Sequence, residues 1–445
     1  MRLLHTADWH LGNMMHNVDR MREQELFLVW LVNVVMDERI DTLVVSGDIF
    51  DSYVPPNWAQ KHYYGFLASL LNTDCRNVVI VGGNHDSGRF LDATNELLDV
   101  LNIHVVGTLS DKKPEEAVFE LEDKDGNTAA VCAAVPFVPE ILLDEYCKDR
   151  KRCAPGTFSD IAYSVLYKEY LDKALELKQD RDIPLIATGH LYASGLEGRY
   201  EGVEEEKRTD DGIRQMDVVG NLGKVPLSAF PDEFDYVALG HIHYHTRVGK
   251  NDKVRYSGSP FVMGFDEADM SHYVLRVDIG NEKDTHAISV KPIEVPGSVS
   301  FKRLSGSVDE VKEKIEEIIK HAEETDDMEG YCIELYYNAE DAGALRSLID
   351  AIDFPDNVNV VSWKVKETKN PYRVDLGEHD IRSISSINPE DIVRQLVLSK
   401  TNLVKGDMTE EEYKKRQEEE VKKYLPYFME AFDTALTKGE CNEDH

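Results

Sequence analysis

The sequence predicts an α/β fold in which buried parallel strands alternate with helices. Short apolar runs at residues 3–6, 42–46 and 78–81 have the composition of strands covered on both faces. Segments with helical periodicity lie between them, the first with apolar residues at Leu26, Trp30, Leu31, Val34 and Val35. Each run is followed by Asp, Asn or His, at the strand end where open α/β sheets bind ligands.

The first two strand ends carry carboxylates. Asp8-Trp9-His10 follows the first strand, and an Asp and a His two residues apart can turn into one site. A capping Asp beside an incidental His is the alternative interpretation. The second strand runs into Gly47-Asp48-Ile49-Phe50-Asp51, where Gly47 permits a sharp turn off the sheet. Pro55 and Pro56 then predict a helix over residues 57–71.

The third strand leads into Gly82-Gly83-Asn84-His85-Asp86. Asn84 offers a neutral carbonyl oxygen, and His85 offers an imidazole that can shuttle a proton near neutral pH. Alone, this pentapeptide is as typical of a turn as of a site. We interpret Asp86 as a residue that supports the turn or the site. A helix over residues 91–101 and a strand over 103–106 are expected next.

Two later strands end in histidine. Residues 184–188 precede Gly189-His190, and residues 236–239 precede Gly240-His241-Ile242-His243. Before them, the Asp125-Gly126 step predicts a hairpin of residues 118–121 and 129–135, followed by a helix over 159–177. The charged segment 196–211 is typical of a surface loop. Strands at 254–256 and 273–277 complete this part of the chain.

From about residue 290 the pattern indicates a second, small α/β unit. Its expected elements are strands at 289–294, 331–336 and 358–365 and helices at 308–321 and 342–352. Residues 370–386 are linker-like, and Asn388-Pro389 begins a terminal helix. A second terminal helix, over 409–437, is amphipathic and rich in aromatic residues. These rings either pack back on the protein or form an interface with a partner.

Composition limits the possible functions. The chain has 445 residues, 42% of them hydrophobic, and a formal net charge of −34. This is typical of a globular protein of two or three domains. The charge argues against autonomous, tight binding to nucleic acid, although a local basic groove or a partner could supply it. No membrane span and no signal peptide are expected, and six cysteines without a Cys-x-x-Cys pair predict a cytoplasmic location.

Five strand ends together offer nitrogen and oxygen ligands in a number that suits two divalent ions sharing one bridging carboxylate. The ligands are Asp8, His10, Asp48, Asn84, His190, His241 and His243. Mixed imidazole and carboxylate ligands favour manganese, iron or zinc over calcium. Two such ions about 4 Å apart can activate a water and neutralise the attacking and leaving oxygens of a phosphate. Any one pair could be structural, but their recurrence after five strands favours a metal site.

These blocks, in this order, resemble the calcineurin-like metallophosphoesterase superfamily. Its pattern is Asp-x-His, Gly-Asp-x-x-Asp, Gly-Asn-His-Asp/Glu, Gly-His and Gly-His-x-His. The longer stretches at residues 4–12, 47–51, 83–87, 238–243 and 256–260 resemble the SbcD branch of bacterial nuclease subunits. The resemblance implies a two-sheet sandwich flanked by helices, a small α/β capping domain and C-terminal helices. The implied boundaries are 1–283 for the nuclease domain, 284–370 for the capping domain, 371–387 for a linker and 388–445 for the helical segment.

The resemblance also implies roles for the site residues. Manganese is the expected ion at both positions. One ion would be held by Asp8, His10, Asp48 and His243, and the other by Asp48, Asn84, His190 and His241. Asp48 would thus bridge the two ions. His85 would donate a proton near the leaving oxygen or contact the phosphate. Archaeal nucleases of this type tend to carry His where this chain has Asp51. We expect the Asp51 carboxylate to orient His85 as an Asp–His dyad.

The implied function is exonuclease and endonuclease cleavage of DNA ends and hairpins in repair, recombination and replication. The implied partner is a coiled-coil ATPase of the SbcC type, which would bind the C-terminal helices of this chain. Two copies of this chain would form a homodimer within a heterotetramer. A small-molecule phosphodiesterase or a phosphatase is the alternative. Ser52-Tyr53 stands where phosphatases carry the Arg-Gly that clamps phosphate, which argues against a phosphatase. A non-catalytic scaffold is a third interpretation, but scaffolds of this type usually lose ligands, and none is missing.

Overall fold

A computed structural model describes residues 1–143 apart from 17, 111 and 140, residues 158–196, residues 225–365 apart from 251, 281–282 and 325–329, and residues 415 and 421–423. The chain divides into two compact units, Met1–Lys364 and Val365–His445. Most of the predicted surface loop, the linker and nearly all of the predicted C-terminal helical segment lie outside the described residues.

Most predicted strands are present, with ends shifted by one or two residues. The strands of the described chain are β1 (Arg2–Thr6), β2 (Met14–Met15), β3 (Val18–Asp19), β4 (Thr42–Ser46), β5 (Asn77–Val81), β6 (Ile103–Val106), β7 (Val118–Glu122), β8 (Thr128–Ala133), β9 (Leu185–His190), β10 (Tyr236–Gly240), β11 (Thr246–Arg247), β12 (Val254–Tyr256), β13 (Tyr273–Ile279), β14 (Ile288–Glu294), β15 (Val299–Ser305), β16 (Gly330–Tyr337) and β17 (Val358–Val365).

The helices also follow the predicted pattern, with one difference. They are α1 (Met21–Asp37), α2 (Asn57–Leu70), α3 (Gly88–Asp92), α4 (Asn95–Asp99), α5 (Phe158–Lys178), α6 (Val308–Glu324) and α7 (Ala342–Ala351). The single helix expected over 91–101 is divided into α3 and α4, because Thr94 leaves the helical conformation with φ −113° and ψ 8°. The expected helix at 57–71 begins directly after Pro56, as a proline near the first turn favours.

Two six-stranded sheets form the main body. The first has the order β14-β13-β1-β4-β5-β6, with β1, β4, β5 and β6 parallel. The second has the order β11-β12-β10-β9-β8-β7, with β12, β10, β9 and β8 parallel. Parallel neighbours place their carboxyl ends at one edge, so each sheet brings the loops after its central strands together.

The sheets pack face to face in a helix-flanked sandwich, which confirms the predicted fold class. One core cluster joins Leu3, Val44 and Val79 of the first sheet to the second sheet and α5. A second cluster lies on the opposite face of the first sheet, beneath α1 and α2. Strands covered on both faces must be apolar throughout, which explains the continuous apolar runs of β4 and β5.

A small three-stranded sheet, β15-β16-β17, follows the sandwich and packs against α6 and α7 around its own apolar cluster. The segment 289–294, expected as the first strand of this small unit, instead pairs along its whole length with β13 in the first sheet. β13 and β14 are consecutive antiparallel strands, and Gly280, with φ +75°, follows directly after β13. The domain boundaries themselves remain a prediction.

Candidate metal centre

The loops after β1 and β4 remain paired beyond the ends of the strands. The backbone N–H of Asp8 donates to the Gly47 carbonyl at 3.0 Å, and that of His10 donates to the Asp48 carbonyl at 3.0 Å. Leu11 continues this ladder by donating to Ile49 at 2.9 Å. Because the two loops run side by side, the side chains predicted as ligands from two separate motifs emerge next to one another.

Several predicted ligands have a left-handed backbone. The φ angles are 54° at Asp8, 44° at His10, 50° at Asp48 and 99° at His241. A residue with a Cβ in such a conformation costs about 1–3 kcal/mol, and such residues concentrate at functional sites. The hydrogen bonds between the loops hold this conformation, so the fold stabilises a strained arrangement that turns these side chains inward.

Two glycines in the motifs make the close approach of the loops possible. Gly47 has φ +92°, and a Cβ there would collide with the ring of His190. A Cβ on Gly83 would collide with both the main chain and the carboxylate of Asp48. Any larger residue at either position would therefore push a predicted ligand away from its place.

Asp86 ties the second and third motifs together, so it holds the turn against the loop of Asp48. Its buried carboxylate accepts hydrogen bonds from the backbone N–H groups of Ile49 at 3.0 Å, Phe50 at 2.9 Å and Gly83 at 2.8 Å. Burial, with the nearby Asp48 charge, raises the pKa of Asp86 to about 6, although the three donors act in the opposite direction. Asp86 thus fixes the loop of Asp48 against the loop of Asn84.

The second sheet supplies the remaining histidines. His190 ends β9 directly beside Gly240 of β10, so the two histidine motifs begin at the same level. The Nδ1–H of His190 donates to the carbonyl of Ser46, 2.9 Å away on the first sheet. The backbone N–H of His241 donates to the Asp8 carboxylate at 2.9 Å. These two hydrogen bonds cross between the sheets, so the site lies at their shared edge.

Acceptor atoms converge around Asn84. The Asn84 Oδ1 atom lies 3.1 Å from His190 Nε2 and 2.9 Å from His241 Nδ1. The Asp48 Oδ2 atom lies 3.3 Å from the same His190 Nε2. Since Nδ1 of His190 carries the hydrogen given to Ser46, its Nε2 directs a lone pair at two oxygens when the ring is neutral and donates a hydrogen to them when the ring is protonated. Such a group of acceptors requires a cation or an added proton between them, which fits a divalent metal.

Asp8, His10 and His243 form the other half of the site. One ligand atom from each lies within 4.8 Å of the others. The Nε2 atom of His10 and the Nδ1 atom of His243 are buried, and neither makes a hydrogen bond within the described residues. A buried polar atom without a partner costs about 1–3 kcal/mol, so these nitrogens call for a ligand. The residues present therefore fit a second metal position.

The charges of the site reflect the crowding of buried carboxylates. Burial and the neighbouring Asp48 raise the pKa of Asp8 to about 7. Burial would also raise the pKa of Asp48, but the charge and hydrogen bond of His190 hold it well below its usual value. Burial lowers the pKa of His190, yet Asp48 more than reverses this and brings it to about 9. A proton on His190 thus supplies positive charge that a divalent ion would otherwise provide.

Two of the three other histidine ligands, His241 and His243, favour the neutral form that metal ligation requires. Burial lowers the pKa of His241 to about 4, and the positive charge of His190 acts in the same direction. Burial also places the pKa of His243 well below its ordinary value. Both rings therefore carry a free lone pair at neutral pH. Burial would also lower the pKa of His10, but the neighbouring Asp51 and Asp48 carboxylates more than reverse this and raise it.

The prediction that the Asp51 carboxylate orients His85 is wrong, because a different group of Asp51 contacts the ring. His85 Nδ1 lies 3.1 Å from the main-chain carbonyl oxygen of Asp51, not from its carboxylate. The carboxylate accepts a hydrogen bond from Asn13 Nδ2 at 2.9 Å and lies 3.3 Å from His10 Nδ1. Asp51 nevertheless contacts both histidines, because its backbone and side chain face opposite neighbours.

The structure brings all the predicted ligands to one place, whereas their division between two ions remains a prediction. Sequence reasoning missed Asn13, which contacts Asp51, and the Ser46 carbonyl, which fixes the tautomer of His190. A serine before Gly47 carries no metal-type signal, since the acting atom belongs to the backbone. His5, also within a matching motif, is a core residue bonded to Tyr236 at 2.9 Å and to the Leu239 carbonyl at 3.2 Å.

The sandwich and its edge of carboxylates and imidazoles define a metal-dependent phosphoesterase. Residues 1–245 match the calcineurin-like phosphoesterase family, and the chain belongs to that family. It is similar to the SbcD subunit of the nuclease SbcCD in several bacteria, which confirms the resemblance to the SbcD branch.

The similarity covers most of both chains. Over 322 residues the chain is 31% identical to the SbcD protein of Escherichia coli K12, which is 71% of this chain and 74% of the relative. The identity is 31% over 300 residues with the SbcD protein of Rhodobacter capsulatus, covering 66% and 70%. With the SbcD protein of Bacillus subtilis it is 31% over 282 residues, covering 62% and 66%. Within the described ranges, no helix has the length and hydropathy needed to cross a membrane.

Proposed function

We propose that this chain is the nuclease subunit of an SbcC–SbcD-like complex and hydrolyses phosphodiester bonds of DNA with two manganese ions. The single observation that carries the proposal is the convergence of carboxylates and imidazoles in one buried cluster, in which nitrogens of His10 and His243 lack a hydrogen-bond partner within the described chain. His10 Nε2 and His243 Nδ1 make no hydrogen bond among the described residues, and His190 Nε2 faces two oxygens. Phosphoesterase family membership and the similarity to named nuclease subunits support the same chemistry.

The ligand sets follow the two halves of the site. Asp8, His10 and His243 would hold one ion, and Asn84, His190 and His241 the other. Asp48 would bridge, since it lies 3.6 Å from His10 Nε2 and 3.3 Å from His190 Nε2. Bound ions of this kind would supply Lewis-acid stabilisation of phosphate charge and a water activated at neutral pH.

His85 is placed to move a proton. A carbonyl oxygen only accepts hydrogen bonds, so Nδ1 of His85 carries a hydrogen and donates it to the Asp51 carbonyl. The other ring nitrogen, Nε2, is then the one available for proton transfer. The ring is half-buried, and its centroid lies 4.9 Å from that of His10 at the edge of the ligand set. We assign to Nε2, in the protonated ring, donation of a proton to the leaving oxygen of the substrate.

The proposal also includes a partner protein. The relatives are named as one subunit of the nuclease SbcCD, so we expect an SbcC-type coiled-coil ATPase to bind residues 388–445, which lie almost entirely outside the described chain. We expect a homodimer within a heterotetramer. The net charge of −34 argues against tight DNA binding by this chain alone, so we expect the partner to contribute positive surface.

The test of substrate class uses purified protein with manganese. We expect hydrolysis of bis-p-nitrophenyl phosphate, single-stranded DNA and hairpin DNA, and ATP-stimulated cleavage of duplex ends when the ATPase is added. Cleavage of bis-p-nitrophenyl phosphate alone, with no DNA cleaved in any combination, would favour the small-molecule phosphodiesterase. No hydrolysis of any substrate by metal-loaded protein would contradict the proposed function altogether.

The test of partner binding removes residues 387–445. The shortened chain should retain manganese-dependent cleavage of short single strands and lose co-elution with the ATPase. The matched control removes only residues 438–445, beyond the aromatic part of the predicted helix. If the chain ending at residue 386 bound the ATPase with full affinity, the predicted binding segment would be wrong.

A further inference from the structure

A buried arginine lies between the sandwich and the small sheet. Arg20 is 3% exposed and stands at the start of α1. Its Nε donates to Glu23 at 2.6 Å and its Nη1 donates to the Val262 carbonyl at 2.8 Å, while Nη2 is buried without a hydrogen-bond partner in the described structure. An arginine is almost never buried to this degree unless paired, so its position is specific.

The guanidinium of Arg20 is held between two aromatic rings from different parts of the fold. Its Cζ atom lies 5.4 Å from the ring centroid of Phe261, in the sandwich, and 5.4 Å from that of Phe301, on β15 of the small sheet. Phe301 also packs against Phe265, with ring centroids 5.6 Å apart. Cations favour the faces of aromatic rings, so Arg20 joins the small sheet to the sandwich.

An open cleft lies beside this contact. A cavity of about 490 Å³ lies between α1, residues 260–272 and residues 294–301, and both Phe261 and Phe301 line it.

The other side of Arg20 leads to the metal centre. The same Nη1 that donates to Val262 also donates to Asn13 Oδ1 at 3.4 Å. Asn13 Nδ2 donates in turn to Asp51 Oδ1 at 2.9 Å, and the same oxygen lies 3.3 Å from His10 Nδ1. A continuous series of contacts thus runs from a ring of the small sheet to a predicted metal ligand.

We propose that Asn13 and Arg20 are positioning residues that make the placement of the Asp51 carboxylate against His10 depend on the seating of the small sheet. The inference rests on the proposed phosphodiester hydrolysis at this site. Asn13 acts as the coupling element because its amide accepts from Arg20 and donates to Asp51, so a shift of one partner reorients the other. Neither residue contacts substrate in this role.

The test measures kcat and KM for bis-p-nitrophenyl phosphate at saturating manganese in Asn13→Ala, Arg20→Ala and the double variant. This substrate is too small to bridge the site and the small sheet, so a lost DNA contact would leave its hydrolysis unchanged. We expect kcat to fall about 10-fold in each single variant with KM unchanged, and no further in the double variant. The control Arg22→Ala removes an exposed arginine of the same helix and should retain full activity.

Each outcome is informative. Unchanged kcat with only a lowered Tm in Arg20→Ala, or losses that multiply to about 100-fold in the double variant, would overturn the coupling. If Arg20→Ala does not fold, Phe301→Leu keeps an apolar side chain but removes the ring, and it should lower kcat several-fold. Unchanged kcat in folded Phe301→Leu would overturn the proposal as well. Absence of hydrolysis by the wild-type protein would instead contradict the proposed function.

Discussion

The Nδ1 atom of His85 donates a hydrogen bond to the main-chain carbonyl oxygen of Asp51, 3.1 Å away. This contact sets the tautomer of the ring without using the carboxylate. The Asp51 side chain is therefore available to Asn13 and His10 on its other side. The proposed proton donor and a predicted metal ligand thus contact two different groups of one residue, and substitutions can separate the two effects.

We expect His85→Ala to retain its metal and lose hydrolysis by about 10²–10⁴-fold, because a positioned general acid contributes about that much. Elemental analysis and single-turnover cleavage of single-stranded DNA measure the two properties. His104→Ala is the matched control, since that histidine pairs with the exposed Asp99 away from the site. An empty site in His85→Ala would show that His85 is a ligand.

We expect Asp51→Asn to act on metal affinity more than on proton transfer. The variant keeps the backbone carbonyl that holds His85 but loses the negative charge beside His10. The Kd for manganese should rise about 10-fold, as is common when a group that supports a ligand is changed. At saturating manganese, kcat should stay closer to wild type than in His85→Ala. A kcat loss equal to that of His85→Ala, with unchanged manganese affinity, would restore the carboxylate dyad.

The grouping of the ligands could be predicted because it depends on strand order and direction alone. Polar residues that follow neighbouring parallel strands must meet at one edge, whatever their rotamers. The atom that Asp51 presents to His85 could not be predicted, because it depends on Asn13, which is 38 positions away in the sequence. The sheet to which β14 belongs was also not predictable, because its half-exposed pattern suits the edge of either sheet.

We expect Asp86→Asn to weaken the fold and the metal site together. The carboxylate now accepts hydrogen bonds from three backbone N–H groups, and the asparagine amide would turn its own N–H₂ toward at least one of them. The lost hydrogen bond should lower the free energy of unfolding by about 1–3 kcal/mol. Urea denaturation and manganese titration measure the two effects. Asp99→Asn, a change of an exposed carboxylate, is the control. Unaltered stability and manganese affinity would show that Asp86 does not hold the loops.

We expect His5 to make the fold less stable in acid. Its Nε2–H donates to the Leu239 carbonyl while Nδ1 accepts from Tyr236, and burial lowers its pKa to about 3. Between about pH 6.5 and pH 3 the unfolded chain binds a proton at His5 that the folded chain does not. The free energy of unfolding therefore falls by about 1.4 kcal/mol for each unit by which the pH decreases.

The measurement compares the free energy of unfolding of the wild type and His5→Gln at pH 7, 6 and 5 in the presence of a chelator. The variant should be less stable at pH 7, but its stability should fall less steeply below pH 6.5. Parallel pH profiles would mean that His5 contributes no linked proton. The site histidines titrate in both proteins, so the difference between the two slopes isolates His5.

The most direct test of the metal centre is the number of manganese ions bound per chain in the wild type and in Asp48→Asn, measured together with hydrolysis of bis-p-nitrophenyl phosphate. Asp37→Asn, an exposed change at the end of α1, is the control. We expect two ions in the wild type and in the control. In Asp48→Asn, loss of the bridging carboxylate leaves both ions under-neutralised, so affinity for both should fall and hydrolysis should cease. Two tightly held ions in an active Asp48→Asn protein would contradict the assignment of this site.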